Sequence, residues 1–367
     1  MSSPFTPDLS RIIDDIEAMV LCESPSEDAA ALAASARVVA AVGERTMGVT
    51  PEVVAVDDVT HLRWRFGSRP KVLILAHHDT VWPLGSLVTH PWSVEDGIIR
   101  GPGCFDMKTG IAMSFHALAG VGPADGVTLM VTGDEEVGSP TGRALIEEEA
   151  AGCDAVLVLE ASAPGGALKT RRKGVSLYTC EVSGRAAHAG LEPELGVNAG
   201  TELAHQILAI GNLENHDVGT TVTPTVLAGG TTTNTVPASA RVAIDVRAWT
   251  LAEQERIHLE LAGLEPQLEG AIVSVTGGIN RPPLETEQSA DLFALADRLS
   301  VGLHGKSLTQ AAVGGGSDGN ITAGMGIPTL DGLGAIGGGA HADDEHVITA
   351  AIPERTELLA ALIADLL

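Results

Sequence analysis

Apolar residues Ile12, Ile13, Ile16, Met19 and Val20 recur at near-helical spacing, with Asp8 placed to cap the segment. The alanine-rich residues 29–42 predict a second helix. The pattern then shortens to β-like runs at 53–56, 62–66 and 71–76. Positions 72–76 are continuously apolar, as expected of a central strand buried on both faces. Similar runs follow at 127–132 and 155–159, with helical patterns at 109–120 and 141–149. Strands alternating with helices predict an α/β fold with a mixed, mostly parallel sheet.

Near residue 170 the style changes. Longer strand patterns at 175–182, 220–227 and 240–248 are separated by helical stretches at 197–211 and 251–264, and a run at 271–275 closes the set. Strand, helix, two strands, helix, strand is the order of a ferredoxin-like α+β sandwich. After Arg281-Pro-Pro283 the first style returns: helix 287–303, strand 309–313, glycine-rich turns, strand 328–331 and a last helix at 350–366. The prediction is a discontinuous domain, residues 1–177 and 284–367, interrupted by an inserted domain at 178–283. No internal repeat or low-complexity linker is visible.

Composition narrows the function. Among 367 residues, 22 Lys and Arg against 48 Asp and Glu give 22 − 48 = −26. Such a field repels phosphate backbones and anionic lipid surfaces, so neither nucleic acid nor membrane is expected as a partner. Five Phe, four Trp and one Tyr leave few platforms for stacking bases. No apolar run approaches the ~20 residues that span a bilayer. Cys22, Cys104, Cys153 and Cys180 are widely spaced without a CxxC pair, which predicts buried free thiols rather than disulfides or a thiolate zinc site. The first twenty residues lack a basic region followed by an apolar core, so the expected location is cytoplasmic.

Five polar clusters sit where predicted strands end or turns return: His77-His-Asp79, Asp106, Asp134-Glu-Glu136, Glu160 and His341. In an open parallel sheet, ligands gather at the carboxyl ends of the strands. Two imidazoles and three or four carboxylates suit a pair of zinc-like ions, with one carboxylate bridging. Asp106 is the candidate bridge, because its glycine-rich approach permits an unusual backbone. His77 then pairs with Glu160, and His341 with Glu136. Adjacent residues of an extended chain point opposite ways, so Glu135 is left to take a proton from the activated water. Asp79 is placed to orient the His77 ring. By the same alternation His78 points away. One such cluster alone carries little weight, since surface carboxylate pairs are routine; five in this order are much harder to obtain by accident.

The segments Ala76-His-His-Asp-Thr-Val-Trp82, Gly101-Pro-Gly-Cys-Phe-Asp-Met-Lys108, Thr132-Gly-Asp-Glu-Glu-Val-Gly138, Leu159-Glu160, Ser183-Gly-Arg-Ala-Ala-His-Ala-Gly190, Pro193-Glu-Leu-Gly-Val-Asn-Ala199 and Gly339-Ala-His341 resemble the co-catalytic zinc metallopeptidases of the carboxypeptidase G (glutamate carboxypeptidase) type. Acetylornithine and succinyl-diaminopimelate deacetylases belong to the same group. The resemblance covers nearly the whole chain. It implies two divalent ions, zinc with cobalt or manganese as substitutes, held by His77, Asp106, Glu136, Glu160 and His341. It implies Glu135 as general base, a cis peptide after Asp106, and an insert that serves as lid and dimerisation domain of a homodimer. It further implies that His188 and Asn234 of the insert reach an active site, often the partner subunit's, to polarise the scissile carbonyl. Arg247 matches the residue that binds a substrate carboxylate; without the resemblance it reads as a surface ion-pair residue. Glu160, where aminopeptidase relatives often carry Asp, favours carboxypeptidases and deacylases.

Two further features are weighed separately. Gly314-Gly-Gly-Ser-Asp-Gly319 formally fits a dinucleotide fingerprint, but the strand predicted at 328 leaves room for only a short helix. A turn offering N–H groups to a substrate carboxylate fits better. Arg171-Arg-Lys173 reads as a solvated cluster near the domain junction, with attraction of anionic substrate as the rival. The expected activity is metal-dependent hydrolysis releasing a C-terminal, glutamate-like amino acid from an N-acyl amino acid or short peptide. The alternatives are an N-acyl amino-acid deacylase and a catalytically silent metal-binding homologue; the presence of Glu135 argues against the silent form.

Overall fold

A computed structural model of the protein describes residues 5–122 and 124–367. The first four residues of the predicted 1–177 range lie outside the described residues. The chain divides into two compact units, one of residues 1–171, 284–313 and 317–367, the other of residues 172–283 with 314–316. The second unit's first strand, Gly174–Ser183, runs unbroken through position 178.

The first unit is built on a six-stranded sheet. Its spatial order is Glu52–Val56, Val59–Phe66, Val127–Thr132, Val72–His77, Ala155–Val158 and Thr329–Leu330. The first two pairings are antiparallel and the last three parallel. Every residue of Val72–His77, Val127–Thr132 and Ala155–Val158 is buried, which explains their unbroken apolar runs. Burying a Leu or Ile side chain fully stabilises by about 1.5–3 kcal/mol. Leu73, Ile74 and Leu157 therefore fix the register that the site depends on. That register aligns His77 with Thr132 and Leu75 with Val158, so three parallel strands end at one edge.

Helices Leu9–Val20, Ala29–Met47, Thr109–Val121 and Ile352–Leu366 contribute to the largest apolar core. Asp8 and Asp28 cap the first two through their side chains. A small sheet that the sequence pattern did not reveal joins Ser93–Glu95, Ile98–Arg100, His346–Ile348 and Gly337–Gly338. Strands of two or three residues are too short to show a period.

The second unit is a four-stranded antiparallel sheet in the order Thr221–Gly229, Ser239–Ala248, Gly174–Ser183 and Ile272–Arg281. Helices Ala199–Gly211 and Leu251–Ala262 pack on it over Cys180, Val242, Ile244 and Ile257. Connection and order are those of a ferredoxin-like domain. No helix among the described residues is long and apolar enough to cross a membrane. All four cysteines are free; three are buried and Cys22 is half-buried.

Candidate metal centre

His77 is the last residue of its strand, and its Nε2 faces three carboxylates. Asp106 Oδ1 and Glu160 Oε1 each lie 3.4 Å away, and Glu135 Oε2 lies at 3.9 Å. On the other side of Asp106, Oδ2 lies 3.3 Å from His341 Nε2, which is also 3.1 Å from Glu136 Oε2. Asp106 thus presents one oxygen to each imidazole. Two sets of ligand atoms lie mutually within 4.8 Å: His77 with Glu135 and Glu160, and His77 with Asp106 and Glu136. His77 Nε2 and Asp106 Oδ1 are buried and have no hydrogen-bond partner among the described residues. Buried polar atoms are rarely left so. An unpaired imidazole nitrogen facing an unpaired carboxylate oxygen, in an all-nitrogen-and-oxygen donor set, fits a divalent cation of the zinc class.

The backbone explains how the ligands meet. Gly103 has φ +72°, and a Cβ there would lie 2.5 Å from the Thr80 methyl, so the turn into Asp106 needs glycine. The Asp106–Met107 peptide is cis. His341 has φ +61°, a left-handed conformation uncommon outside glycine that histidine adopts more readily than most residues. Glu135 and Glu136 are not in extended backbone as the alternation argument assumed. They open a short 3₁₀ turn, Glu135–Val137, after the strand has ended. Their carboxylates still diverge, Glu135 toward His77 and Glu136 toward His341.

Asp79 is fully buried and links the pieces. Its Oδ1 lies 3.4 Å from His77 Nδ1, which is also 3.1 Å from Asp79's own carbonyl. It accepts the backbone N–H of Glu135 and of Glu136, and the Ser26 hydroxyl. His78 points away, against Ser35 and the Thr60 carbonyl, and burial lowers its pKa to about 4.

The charged groups of the site face one another at close range. Burial raises the Asp106 carboxyl, but His341 and His77 outweigh it and hold it far below the usual carboxylate range. Burial lowers His77, yet the carboxylates of Asp106, Asp79 and Glu160 lift it well above an ordinary imidazole. Asp106 and Glu136 raise His341 to about 10. Burial pushes Glu136 up. The excess of carboxylates around both imidazoles thus favours positive charge at the place where a cation would sit.

Sequence reasoning missed Lys169, whose Nζ lies 3.9 Å from Glu160 Oε2, and Glu345, which is described below. Glu345 lies four residues after His341 in the same acidic run, but burial of one acid among several exposed ones leaves no mark in sequence. Two N–H groups of the glycine-rich turn are already engaged within it. Ser317 N–H donates to Asn320 Oδ1 and Gly319 N–H to Ser317 Oγ, so these groups are not offered to a ligand. The basic run is not a solvated cluster either. Arg172 is buried and donates to the carbonyls of Gly315 and Gly316, and Lys173 lies over the Trp249 ring.

Within the second unit, His188 is exposed and its backbone bridges Thr235 beside Asn234. Its Nδ1 accepts the N–H groups of Gly190 and Leu191, which leaves Nε2 as the donor of the neutral ring. Asn234 Oδ1 accepts from Thr232, keeping its amide N–H₂ as a donor. Arg247 forms a two-toothed ion pair with Asp245 at 2.7 and 2.8 Å.

Residues 73–365 match the profile of peptidase family M20/M25/M40. The chain is 31% identical to carboxypeptidase G2 of Pseudomonas sp. (strain RS-16), over 98% of this chain and 90% of that protein. It is 28% identical to succinyl-diaminopimelate desuccinylase of Methylorubrum populi, over 82% of this chain and 84% of that one. Among solved structures, aminopeptidase PepT from Bacillus cereus superposes with a TM-score of 0.73 at 21% identity, covering 98% of this chain and 99% of that one. The M20 metallo-carboxypeptidase Sso-CP2 from Sulfolobus solfataricus superposes with a TM-score of 0.71 at 17% identity, covering 97% and 98%. At these identities the two structures establish the fold alone.

Proposed function

This chain belongs to peptidase family M20/M25/M40, a family of metal-dependent amide hydrolases, and we propose that it releases a C-terminal, glutamate-like amino acid from an N-acyl amino acid or short peptide. The observation that carries this reading is Asp106, whose two oxygens face two different imidazoles with Glu135 alongside.

His77, Asp106 and Glu160 would hold one divalent ion, and His341, Asp106 and Glu136 a second. We assign zinc, with cobalt or manganese as substitutes. Such ions lower the pKa of a water and polarise a carbonyl oxygen. Glu135 takes the proton of the attacking water and gives it to the leaving nitrogen as the C–N bond breaks. Asp79 fixes the His77 ring and, through the two N–H groups it accepts, the start of the Glu135–Val137 turn. His188 Nε2–H and the Asn234 amide donate to the carbonyl oxygen as it gains charge. Arg247 exchanges Asp245 for the substrate carboxylate, for which its planar fork is suited.

We assign residues 1–177 and 284–367 to catalysis and 178–283 to a lid that also forms a homodimer. Four free thiols support a cytoplasmic location, and the acidic excess argues against nucleic-acid and membrane partners. The likeness to a desuccinylase favours a second reading, a deacylase for a small acyl group. A panel of N-benzoyl-glutamate, γ- and α-linked glutamyl dipeptides, N-acetylornithine and N-succinyl-diaminopimelate separates the two. Fastest release of glutamate from the aromatic acyl and dipeptide substrates supports the carboxypeptidase reading. Preference for the acetyl or succinyl substrates overturns it in favour of the deacylase.

A further inference from the structure

Glu345 is a carboxylate only 4% exposed, and no cation pairs with it among the described ion pairs. Its Oε1 accepts the backbone N–H of Phe105 at 2.8 Å and of Asp106 at 3.0 Å. Its Oε2 accepts the N–H of Gly103 at 2.9 Å and the Trp82 indole N–H at 2.7 Å. Four donors converge on one buried side chain. Three come from the turn that delivers Asp106, and the fourth from the segment that begins at His77. Glu345 itself ends the loop that begins at His341, and the next residues, His346–Ile348, pair with Ile98–Arg100 just ahead of the turn. One carboxylate therefore ties together the three chain segments carrying His77, Asp106 and His341.

Peptide N–H groups aimed at one another's neighbourhood would repel without an acceptor, and a buried N–H without a partner is strongly disfavoured. The geometry assigns Glu345 as the positioning residue that holds the Asp106 carboxylate between His77 and His341. This inference rests on the two-ion reading above. It predicts that Glu345 acts on metal affinity and geometry without touching metal or substrate. Outer partners of ligands typically change metal affinity ten- to a hundred-fold when lost.

The test titrates metal-free full-length protein with Co²⁺, reading stoichiometry, affinity and the visible cobalt spectrum, alongside the thermal melt of the metal-free chain. Glu345→Gln turns one oxygen into a donor facing two N–H groups; Glu345→Asp keeps the charge but shortens its reach. Both should bind cobalt ten- to a hundred-fold more weakly than wild type, with a shifted spectrum. Glu345→Asp should still melt cooperatively before metal is added, at a lower temperature than wild type because its shorter reach leaves some of the four donors unpaired. If Glu345→Gln fails to fold, Glu345→Asp decides. A folded variant with wild-type affinity and spectrum overturns the assignment while leaving the two-ion reading intact. Wild-type protein that takes up no cobalt overturns both.

Discussion

Asp79 Oδ1 accepts the backbone N–H of Glu135 at 3.2 Å and lies 3.4 Å from His77 Nδ1, joining His77 to the proposed base. Asp79 and Glu135 lie just beyond the ends of neighbouring parallel strands, so the contact follows from the register of His77 with Thr132. Burial raises the carboxyl of Asp79, but His77, the Ser26 hydroxyl and His78 together lower it, so it is held as the anion its donors require. Asp79→Asn keeps the shape and removes the charge. We expect kcat to fall about ten- to a hundred-fold with one or both ions more weakly held. Wild-type kcat and metal affinity in this variant would remove Asp79 from the site.

His341→Ala should retain one ion and lose the other, with most activity. Two ions per chain by elemental analysis would contradict its role. Proton release gives a second readout. His341, raised to about 10 by Asp106 and Glu136, carries a proton at pH 7 in the metal-free chain. Binding must displace that proton, so loading zinc into weakly buffered protein at pH 7 should release at least about one proton per chain. The raised value has a further consequence. In the metal-free chain the stabilisation from His341 is fully present below its unfolded pKa of about 6.5. It is lost as pH rises through about 10. His341→Ala should flatten that alkaline decline.

Arg247→Ala should raise KM for acyl amino acids about ten- to a hundred-fold, since a charge-assisted contact is worth roughly 1.5–3 kcal/mol. Metal content should not change. An amidated substrate lacks the carboxylate, so the same substitution should scarcely affect it. Equal losses on acid and amide would make the pair with Asp245 purely structural.

The role of His188 is tested by mixing subunits. If it serves the partner's site, His188→Ala mixed with Glu135→Ala should recover about a quarter of wild-type activity. Half of randomly formed dimers are mixed, and each then has one intact site of two. No recovery after verified exchange would place His188 in its own subunit's site or outside the reaction.

The sequence carried the elements whose burial is uniform. Val72–His77 and Val127–Thr132 are apolar throughout because both faces are covered, and their ends announced His77 and Glu135. The convergence of Asp106 and His341 could be anticipated only from residue type. It depends on a left-handed His341, the Gly103 turn and the short strands Ile98–Arg100 and His346–Ile348, none of which has a period. Glu345 was invisible for another reason: sequence does not distinguish the one buried acid of Asp343-Asp-Glu345. The extended-chain argument for Glu135 and Glu136 reached the divergence seen, but in a 3₁₀ turn where its premise does not hold.

The central claim is that Glu135 moves the proton while other residues hold the metal. Metal content and turnover measured together on zinc-loaded wild type and Glu135→Gln test it most directly. The account predicts two ions per chain in both proteins, with amino-acid release at least about a hundred-fold slower in the variant, the lower end of what a positioned base contributes. Loss of an ion from Glu135→Gln, whose carboxylate lies near His77 and Glu160, would make Glu135 a ligand. Undiminished release with both ions in place would show that the proton goes elsewhere.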